Sequence, residues 1–294
     1  GGASMGLNIV FGIDTTTAAA ISGILGILLF ASPKMGGVLD NTAKVLGTVM
    51  LVLIGYVAFS TNPPVAEAVT HAIVPTNYPW LATITLIGGT VGGYITFSGG
   101  HRLIDAGITG REHLKDVRRA AFMGMSVDAI VRILLFLAVL GVVSMGFALD
   151  PKDPAGSAFL LGAGEIGHKL FGIVFFCAAL TSVVGAAYTS VSFLKTLFKV
   201  VERYEKLTIM AFIFVSTCIL IFIGKPATLL IVAGSVNGLI LPVTLAVMLL
   251  ATRKTNIVGD YKHNPVLFYT GWIVVLVTAY IGVTSLQGIA KLLG

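Results

Sequence analysis

Residues 88–100 read GGTVGGYITFSGG and decide how an otherwise apolar helix can run through this region. Six of these thirteen residues are glycine. Each glycine disfavours a helix by about 1 kcal/mol relative to alanine, so the stretch resists regular helix by roughly 5 kcal/mol. Adjacent glycines are also common at kinks. We therefore predict a discontinuous helix whose first half ends near Thr90, with a break over Val91–Tyr94.

The same glycines allow a second interpretation, in which they form a packing seam. Gly88 with Gly92, and Gly89 with Gly93, each make a GxxxG pair, which lets two membrane helices approach closely. Composition leaves both interpretations open. Unwound backbone at membrane depth is tolerated only where protein or a watery cavity buries it, and its carbonyl oxygens can then bind an ion.

The composition of the whole chain is that of a membrane protein. Its 294 residues are 56% hydrophobic and 11% charged, with a mean hydropathy of +0.97, whereas a soluble domain carries about 25% charged residues. We predict an all-α integral membrane protein, a single domain over residues 1–294, with about eight spans and a partial helix at Gly2–Phe11. The predicted spans are Thr16–Phe30, Val45–Phe59, Pro79–Phe97, Ala120–Leu149, Leu170–Leu194, Leu207–Ile223, Leu229–Leu250 and Val266–Gly288.

The lysine and arginine residues predict the orientation of these spans. Fourteen of the 19 fall in loops that share one side of the membrane if the spans alternate, while four fall on the other side and Arg132 lies within a span. Positive loops stay inside, so we predict a multi-pass protein of the cytoplasmic membrane with its basic loops in the cytoplasm. Charges spread over four short loops also argue against a nucleic-acid partner. The fourteen are Lys34, Lys44, Arg102, Arg111, Lys115, Arg118, Arg119, Lys195, Lys199, Arg203, Lys206, Arg253, Lys254 and Lys262.

Three segments resemble successive parts of the NRAMP divalent-metal transporters. GASMGLNIVFGI, from residue 2, resembles the end of the family's third helix, and GGTVGGYITF stands at its sixth-helix signature, A-T-V-M-P-H-N. LLIVAGSVNGLILPVTLAVMLLATRK, residues 229–254, resembles its tenth helix. The resemblance implies a LeuT-like inverted-repeat fold covering the late third to the eleventh helix. The family's first helix holds part of the ion site, so we expect a truncated product or a chain that needs its missing part.

The resemblance also implies which residues contact the ion. Gly89 takes the place of an alanine whose carbonyl faces the ion, Gly92 that of a methionine thioether, and Gly93 that of a proline. Tyr94 replaces the first histidine of the signature. Gly234 stands where many members have glutamine, and Asn237 follows one turn later. The predicted metal-site residues are thus Gly89, Thr90, Gly92, Gly93, Tyr94, Gly234 and Asn237.

These departures predict which ion is carried. A thioether selects soft transition metals, whereas Mg²⁺ prefers octahedral oxygen ligands and keeps several waters. Loss of the histidines removes a proton route. The pattern resembles the NRAMP-related magnesium transporters, which implies Mg²⁺ uptake by alternating access, with Mn²⁺ tolerated and no proton coupling, by a monomer without a cofactor. The alternatives are a proton-coupled Mn²⁺ or Fe²⁺ transporter, and a non-transporting fragment or scaffold. No catalytic motif indicates an enzyme.

Four further residues are candidates for the ion pathway or its gates. Asp128 and Arg132 are charges within a span, which are functional suspects, although their spacing favours a mutual ion pair on one helix face. His101 either relays a proton or lies at an interfacial helix end. Tyr188, in a row of hydroxyl residues, either lines the path or belongs to a set that bonds back to helix carbonyls.

Overall fold

The computed structural model describes residues 1–31, 45–95, 99–101 and 103–286 with their side chains, and its regular elements in these ranges are all helices. This confirms the predicted all-α class. Lys34, Lys44, Arg102 and Lys291 lie outside the described residues. The helices are α1 (Gly2–Phe11), α2 (Thr15–Ala31), α3 (Pro33–Ser60), α4 (Val65–Ile73), α5 (Trp80–Val91), α6 (Gly93–Asp105), α7 (Leu114–Ser144), α8 (Pro154–Lys195), α9 (Lys199–Arg203), α10 (Glu205–Ile223), α11 (Pro226–Ala251), α12 (Thr255–Val258) and α13 (Pro265–Leu293).

The number of membrane spans agrees with the eight predicted once bent helices are counted. Among the described residues, α7, α8, α10, α11 and α13 are each long and apolar enough to cross a bilayer alone. Three bent pairs raise the number to as many as eight. One pair joins α1 to α2 at 118°, so the predicted partial helix at Gly2–Phe11 is one arm of a broken segment. The turn is made by Gly12, whose φ of 67° lies in the left-handed region that glycine tolerates.

The chain divides into two compact units. The first unit comprises residues 1–76 and 103–227, and the second unit comprises residues 77–102 and 228–294. Both are discontinuous in sequence, because residues 77–102 interrupt the first unit. The single transporter domain over residues 1–294 stays a prediction.

The helix α8 is the central element of the first unit. It contacts α1, α2, α3, α7, α9 and α10, and its widest contacts are with α1 and α3. The rings of Phe159 and Phe171 stack with their centroids 4.4 Å apart and pack with Ile54 and Val57 of α3. On α1, a Cβ atom at Gly6 would lie only 2.7 Å from the Gly172 carbonyl oxygen, so the two backbones touch. Small residues of this kind allow close helix packing in lipid.

The start of α8 lies well before the predicted span Leu170–Leu194. Asp153 caps the helix, because its Oδ1 accepts the Gly156 N–H at 3.0 Å and Pro154 occupies the first turn. The helix kinks at Gly164, whose φ is 67°. Burial raises the pKa of the Asp153 carboxyl above its ordinary value.

The cap at Asp153 gives a first prediction. Asp153→Ala should lower the free energy of unfolding by about 1 kcal/mol, because an alanine leaves the Gly156 N–H without its acceptor. Asp153→Asn retains an acceptor and serves as the matched control. A folded-state pKa above the unfolded value stabilises the protein at acidic pH, and this contribution is lost as the pH rises through the folded pKa.

The wild-type protein should therefore gain stability relative to Asp153→Asn as the pH falls toward 4. Thermal unfolding in detergent micelles, recorded for all three proteins at pH 4 and pH 7, measures both effects. Equal melting temperatures for the alanine and asparagine variants would show that the cap contributes nothing.

Candidate metal site at the helix break

The glycine-rich stretch contains a helix break at one residue. The helix α5 ends at Val91, Gly92 adopts φ 71° and ψ 59°, and α6 begins at Gly93. The Gly92 N–H donates to the Gly88 carbonyl at 3.0 Å. This left-handed turn is easy for glycine and strained for other L-residues. The break lies within the predicted Val91–Tyr94 but is narrower, because a single left-handed residue is enough to end one helix and start the next.

The backbone on either side of the break packs directly against α11. A Cβ atom at Gly88 would overlap the Gly234 carbonyl oxygen and the Gly238 amide nitrogen. One at Gly93 would overlap the Asn237 carbonyl oxygen and lie 3.0 Å from its Cα. No side chain fits at Gly88 or Gly93 while the helices stay at this distance.

The helix α11 presents glycines of its own at the same contact. A Cβ atom added at Gly234 would lie 2.9 Å from the Thr85 carbonyl oxygen. One added at Gly238 would lie 2.5 Å from the Ile84 carbonyl oxygen. Between them, the hydroxyls of Thr85 and the fully buried Ser235 form a hydrogen bond of 2.7 Å. The glycines bring the two backbones together, and the hydroxyl pair fixes their register.

Both interpretations of the glycines therefore hold, at different residues. Gly88 and Gly93 form the seam, and Gly92 forms the break. Gly89 is exposed, and an added Cβ there would meet no atom within 4 Å. The two seam residues, Gly88 and Gly93, are five positions apart, whereas the residues of a GxxxG pair are four apart. The spacing differs because the left-handed turn at Gly92 changes which residue of α6 faces α11.

The predicted metal-site residues gather around this break within the second unit. Gly89 and Thr90 belong to the last turn of α5, where carbonyl groups lose their helical donors. The Thr90 hydroxyl donates to the Leu86 carbonyl at 2.5 Å, which leaves its lone pairs as acceptors. Gly92 is half-buried and Tyr94 is exposed. Whether these residues bind an ion stays a prediction.

On α11, the two predicted site residues differ in their surroundings. Gly234 is buried in the seam and contacts α5 through its backbone. Asn237 is half-buried. Its main chain lies against Gly93, which places this residue beside the break. Of the two, only Asn237 offers a side-chain oxygen.

In the described part of the chain, the atoms near the break that could bind a metal ion are neutral oxygens, and they include no charged or soft group. They comprise the main-chain carbonyls at the end of α5, the Thr90 hydroxyl and the Asn237 carboxamide. Among the residues that the structure describes, no three His, Cys, Asp or Glu side chains lie close enough together to bind a metal ion. Oxygen is the ligand type that hard cations prefer.

The charges predicted within a span pair with each other. On α7, Arg132 Nε donates to Asp128 Oδ2 at 2.8 Å, and both side chains are partly exposed. The geometry fits the ion pair that their spacing predicts. His101 lies half-buried on α6.

Tyr188 belongs to a polar cluster that the sequence did not reveal. The Asp105 carboxylate, at the end of α6, accepts hydrogen bonds from Ser192 at 2.7 Å and from Tyr188 at 3.3 Å. Lys195 Nζ lies 3.9 Å from Asp105 and 3.1 Å from Glu205. Tyr188 and Ser192 are one helical turn apart, and this spacing was the one sign of the cluster that the sequence offered. Their acceptor lies more than eighty residues earlier in the chain.

Comparison with known proteins identifies the chain's relatives. Residues 1–287 match the family described as Nramp, natural resistance-associated macrophage protein-like. The chain belongs to the Nramp family. It is 49% identical to the uncharacterized membrane protein YcsG of Bacillus subtilis over 286 residues, which are 97% of this chain and 71% of that protein. It is 50% identical to an uncharacterized membrane protein of Haemophilus influenzae over 279 residues, 95% of this chain and 70% of the relative.

The Nramp assignment confirms the resemblance seen in the sequence. It also gives Gly92 a structural meaning, because the resemblance aligns this residue with a methionine. In this Nramp chain, a methionine at residue 92 would have to adopt a left-handed conformation that costs about 1–2 kcal/mol. Gly92 thus fits the backbone turn between α5 and α6.

The seam gives a second prediction, in which neighbouring glycines differ. Gly88→Ala should destabilise the Nramp chain by at least about 1–3 kcal/mol, because the methyl group must push α11 away. Gly89→Ala is the matched control. It adds the same methyl group one residue later into open space and should change stability by less than about 1 kcal/mol. Thermal unfolding of both variants in lipid nanodiscs measures the difference, and similar melting temperatures would contradict the seam.

Proposed function

We propose that this Nramp protein carries Mg²⁺ into the cell, with Mn²⁺ tolerated, by alternating access and without proton coupling. Membership of the family supports transport of a divalent metal ion. The choice of Mg²⁺ rests on one observation: the donors at the helix break are neutral oxygens, and a left-handed glycine stands where the resemblance places a thioether. The basic loops face the cytoplasm in this proposal, and the protein acts as a monomer.

The chemistry of the break suits an ion that keeps part of its water. Mg²⁺ binds oxygen at about 2.0–2.1 Å in octahedral geometry and dehydrates reluctantly. Gly89 leaves open the space that a side chain would fill there, and the main chain of Asn237 lies against Gly93 on the other side of the break. A few fixed neutral oxygens leave room for bound waters. They also hold the ion weakly enough to release it, which transport requires.

The break and the end of α6 suggest how access alternates. Gly92 separates α5 from α6, and a single left-handed residue between two helices can serve as a hinge. The helix α6 ends at Asp105, which Ser192 of α8 holds through a hydrogen bond of 2.7 Å. We assign the cluster of Asp105, Tyr188, Ser192 and Lys195 the role of positioning the end of α6.

Transport assays with the full-length protein in liposomes test the proposal. The liposomes contain a Mg²⁺-sensitive dye in one series and a pH indicator in the other. We expect saturable uptake of Mg²⁺, uptake of Mn²⁺, and no acidification of the interior with either ion.

Two results would favour the alternatives. Uptake of Mn²⁺ with acidification and without Mg²⁺ flux would support proton-coupled transport, with His101 on α6 as the residue to test next. No flux of either ion would support a scaffold role. Calorimetry with Cd²⁺ separates the first case further, because a site without sulfur should bind this soft ion poorly.

Asn237 provides the third prediction. Asn237→Ala should lower the rate of Mg²⁺ uptake at subsaturating concentration about tenfold, the effect of losing about 1.4 kcal/mol of binding free energy. Asn256→Ala, at an exposed asparagine of α12, is the matched control and should transport normally. Both variants should unfold at the wild-type temperature, which separates loss of a ligand from loss of structure. An unchanged Mg²⁺ rate in Asn237→Ala would remove this residue from the site.

A further inference from the structure

A cavity of about 450 Å³ lies in the second unit, between the end of α11 and the start of α13. It is open on one side and is lined by three groups that carry or can acquire positive charge: Arg253, Lys262 and His263. No carboxylate among the described residues forms a salt bridge with any of them. The cavity is thus a concave surface whose cations are available to an anion.

The arginine in this cavity is held in place. The guanidinium carbon of Arg253 lies 4.1 Å from the centroid of the Phe268 ring. An aromatic neighbour at this distance helps to orient the planar guanidinium, and a guanidinium can form two parallel hydrogen bonds to phosphate. Lys262 supplies a second positive charge, and the hydroxyls of Thr255 and Tyr261 supply neutral donors.

The depth of the cavity follows from the helices that flank it. The helix α11 ends at Ala251, two residues before Arg253, and α13 begins at Pro265, two residues after His263. Both helices are apolar enough to cross a bilayer. The cavity therefore lies just outside the hydrocarbon, in a headgroup layer about 5–7 Å thick. The phosphate groups of lipids lie in this layer.

We propose that this cavity binds the phosphate of an anionic phospholipid headgroup. Arg253 and Lys262 contact the phosphate, and Thr255 and Tyr261 donate to its remaining oxygens. Val266 and Leu267, exposed at the start of α13, offer an apolar surface for the acyl chains. Basic pockets between membrane helices are suited to acidic lipid headgroups. The proposal is independent of the transported ion.

The test compares lipid binding by the full-length protein and two variants in neutral detergent. The probes are phosphatidylglycerol, phosphatidylcholine and inorganic phosphate, and native mass spectrometry gives the bound fraction. The double variant R253Q/K262Q should bind phosphatidylglycerol about tenfold more weakly than the wild type. The matched control is Lys254→Gln, which removes a charge from the same loop outside the cavity lining and should change binding less than twofold.

The single variant Lys262→Gln keeps the Arg253–Phe268 contact and should show an intermediate loss, which guards against misfolding of the double variant. Each variant should also melt at the wild-type temperature when no lipid is present, which shows that it is folded. An equal loss of phosphatidylglycerol binding in Lys254→Gln and Lys262→Gln would overturn the site, because it would indicate a non-specific attraction of the lipid to the basic loop. Equal binding of both lipids, or no binding of phosphatidylglycerol, would also overturn it. Binding of inorganic phosphate at millimolar concentration, with no binding of phosphatidylglycerol, would keep the phosphate chemistry but overturn the lipid as its source.

Discussion

The backbone of Gly88 lies directly against the backbone of α11, and the arrangement of the second unit depends on this contact. Lipid tails are as apolar as leucine, so membrane helices gain little from hiding apolar side chains and associate instead through close packing and hydrogen bonds. Glycines on both helices provide the closeness, and the bond between Thr85 and Ser235 provides the register. The position of Asn237 beside the break follows from this packing.

The first unit handles its charges differently from the second. Asp128 and Arg132 neutralise each other on one helix, and Lys195 lies between the carboxylates of Asp105 and Glu205. Charges are costly inside a bilayer and are usually paired there. Around the helix break of the second unit, by contrast, the nearby donors are neutral. In the proposed function, the hydrated ion supplies the charge at the break and the protein supplies dipoles.

Much of this arrangement was predictable because it depends on short-range rules. The glycine content of residues 88–100 predicted a break, and the i,i+4 spacing of Asp128 and Arg132 predicted their pair. The division of roles among Gly88, Gly89, Gly92 and Gly93 was not predictable, since it depends on which face of α5 meets α11. A partner helix more than a hundred residues away determines that face.

Other features escaped the sequence for the same physical reason. Tyr188 and Ser192 are ordinary hydroxyl residues on an apolar helix, and only the fold brings the Asp105 carboxylate to them. The kink at Gly164 was hidden because a glycine within GAGEIGHKL is equally compatible with a helix start in water. The early start of α8 at Pro154 did have a local signal, because Asp153 and Pro154 are a typical helix start, but the apolar pattern alone placed the span later.

The discontinuous order of the first unit has a consequence for synthesis in the cell. The helices α1 and α3 make their widest contacts with α8, which the ribosome completes only after more than a hundred further residues. From residue 76 to the start of α8 the chain grows by about 80 residues, which takes roughly 4–16 s at about 5–20 residues per second. During those seconds α8 is not yet present to cover the small-residue face of α1. Correct assembly then depends on how long the nascent helices avoid other partners.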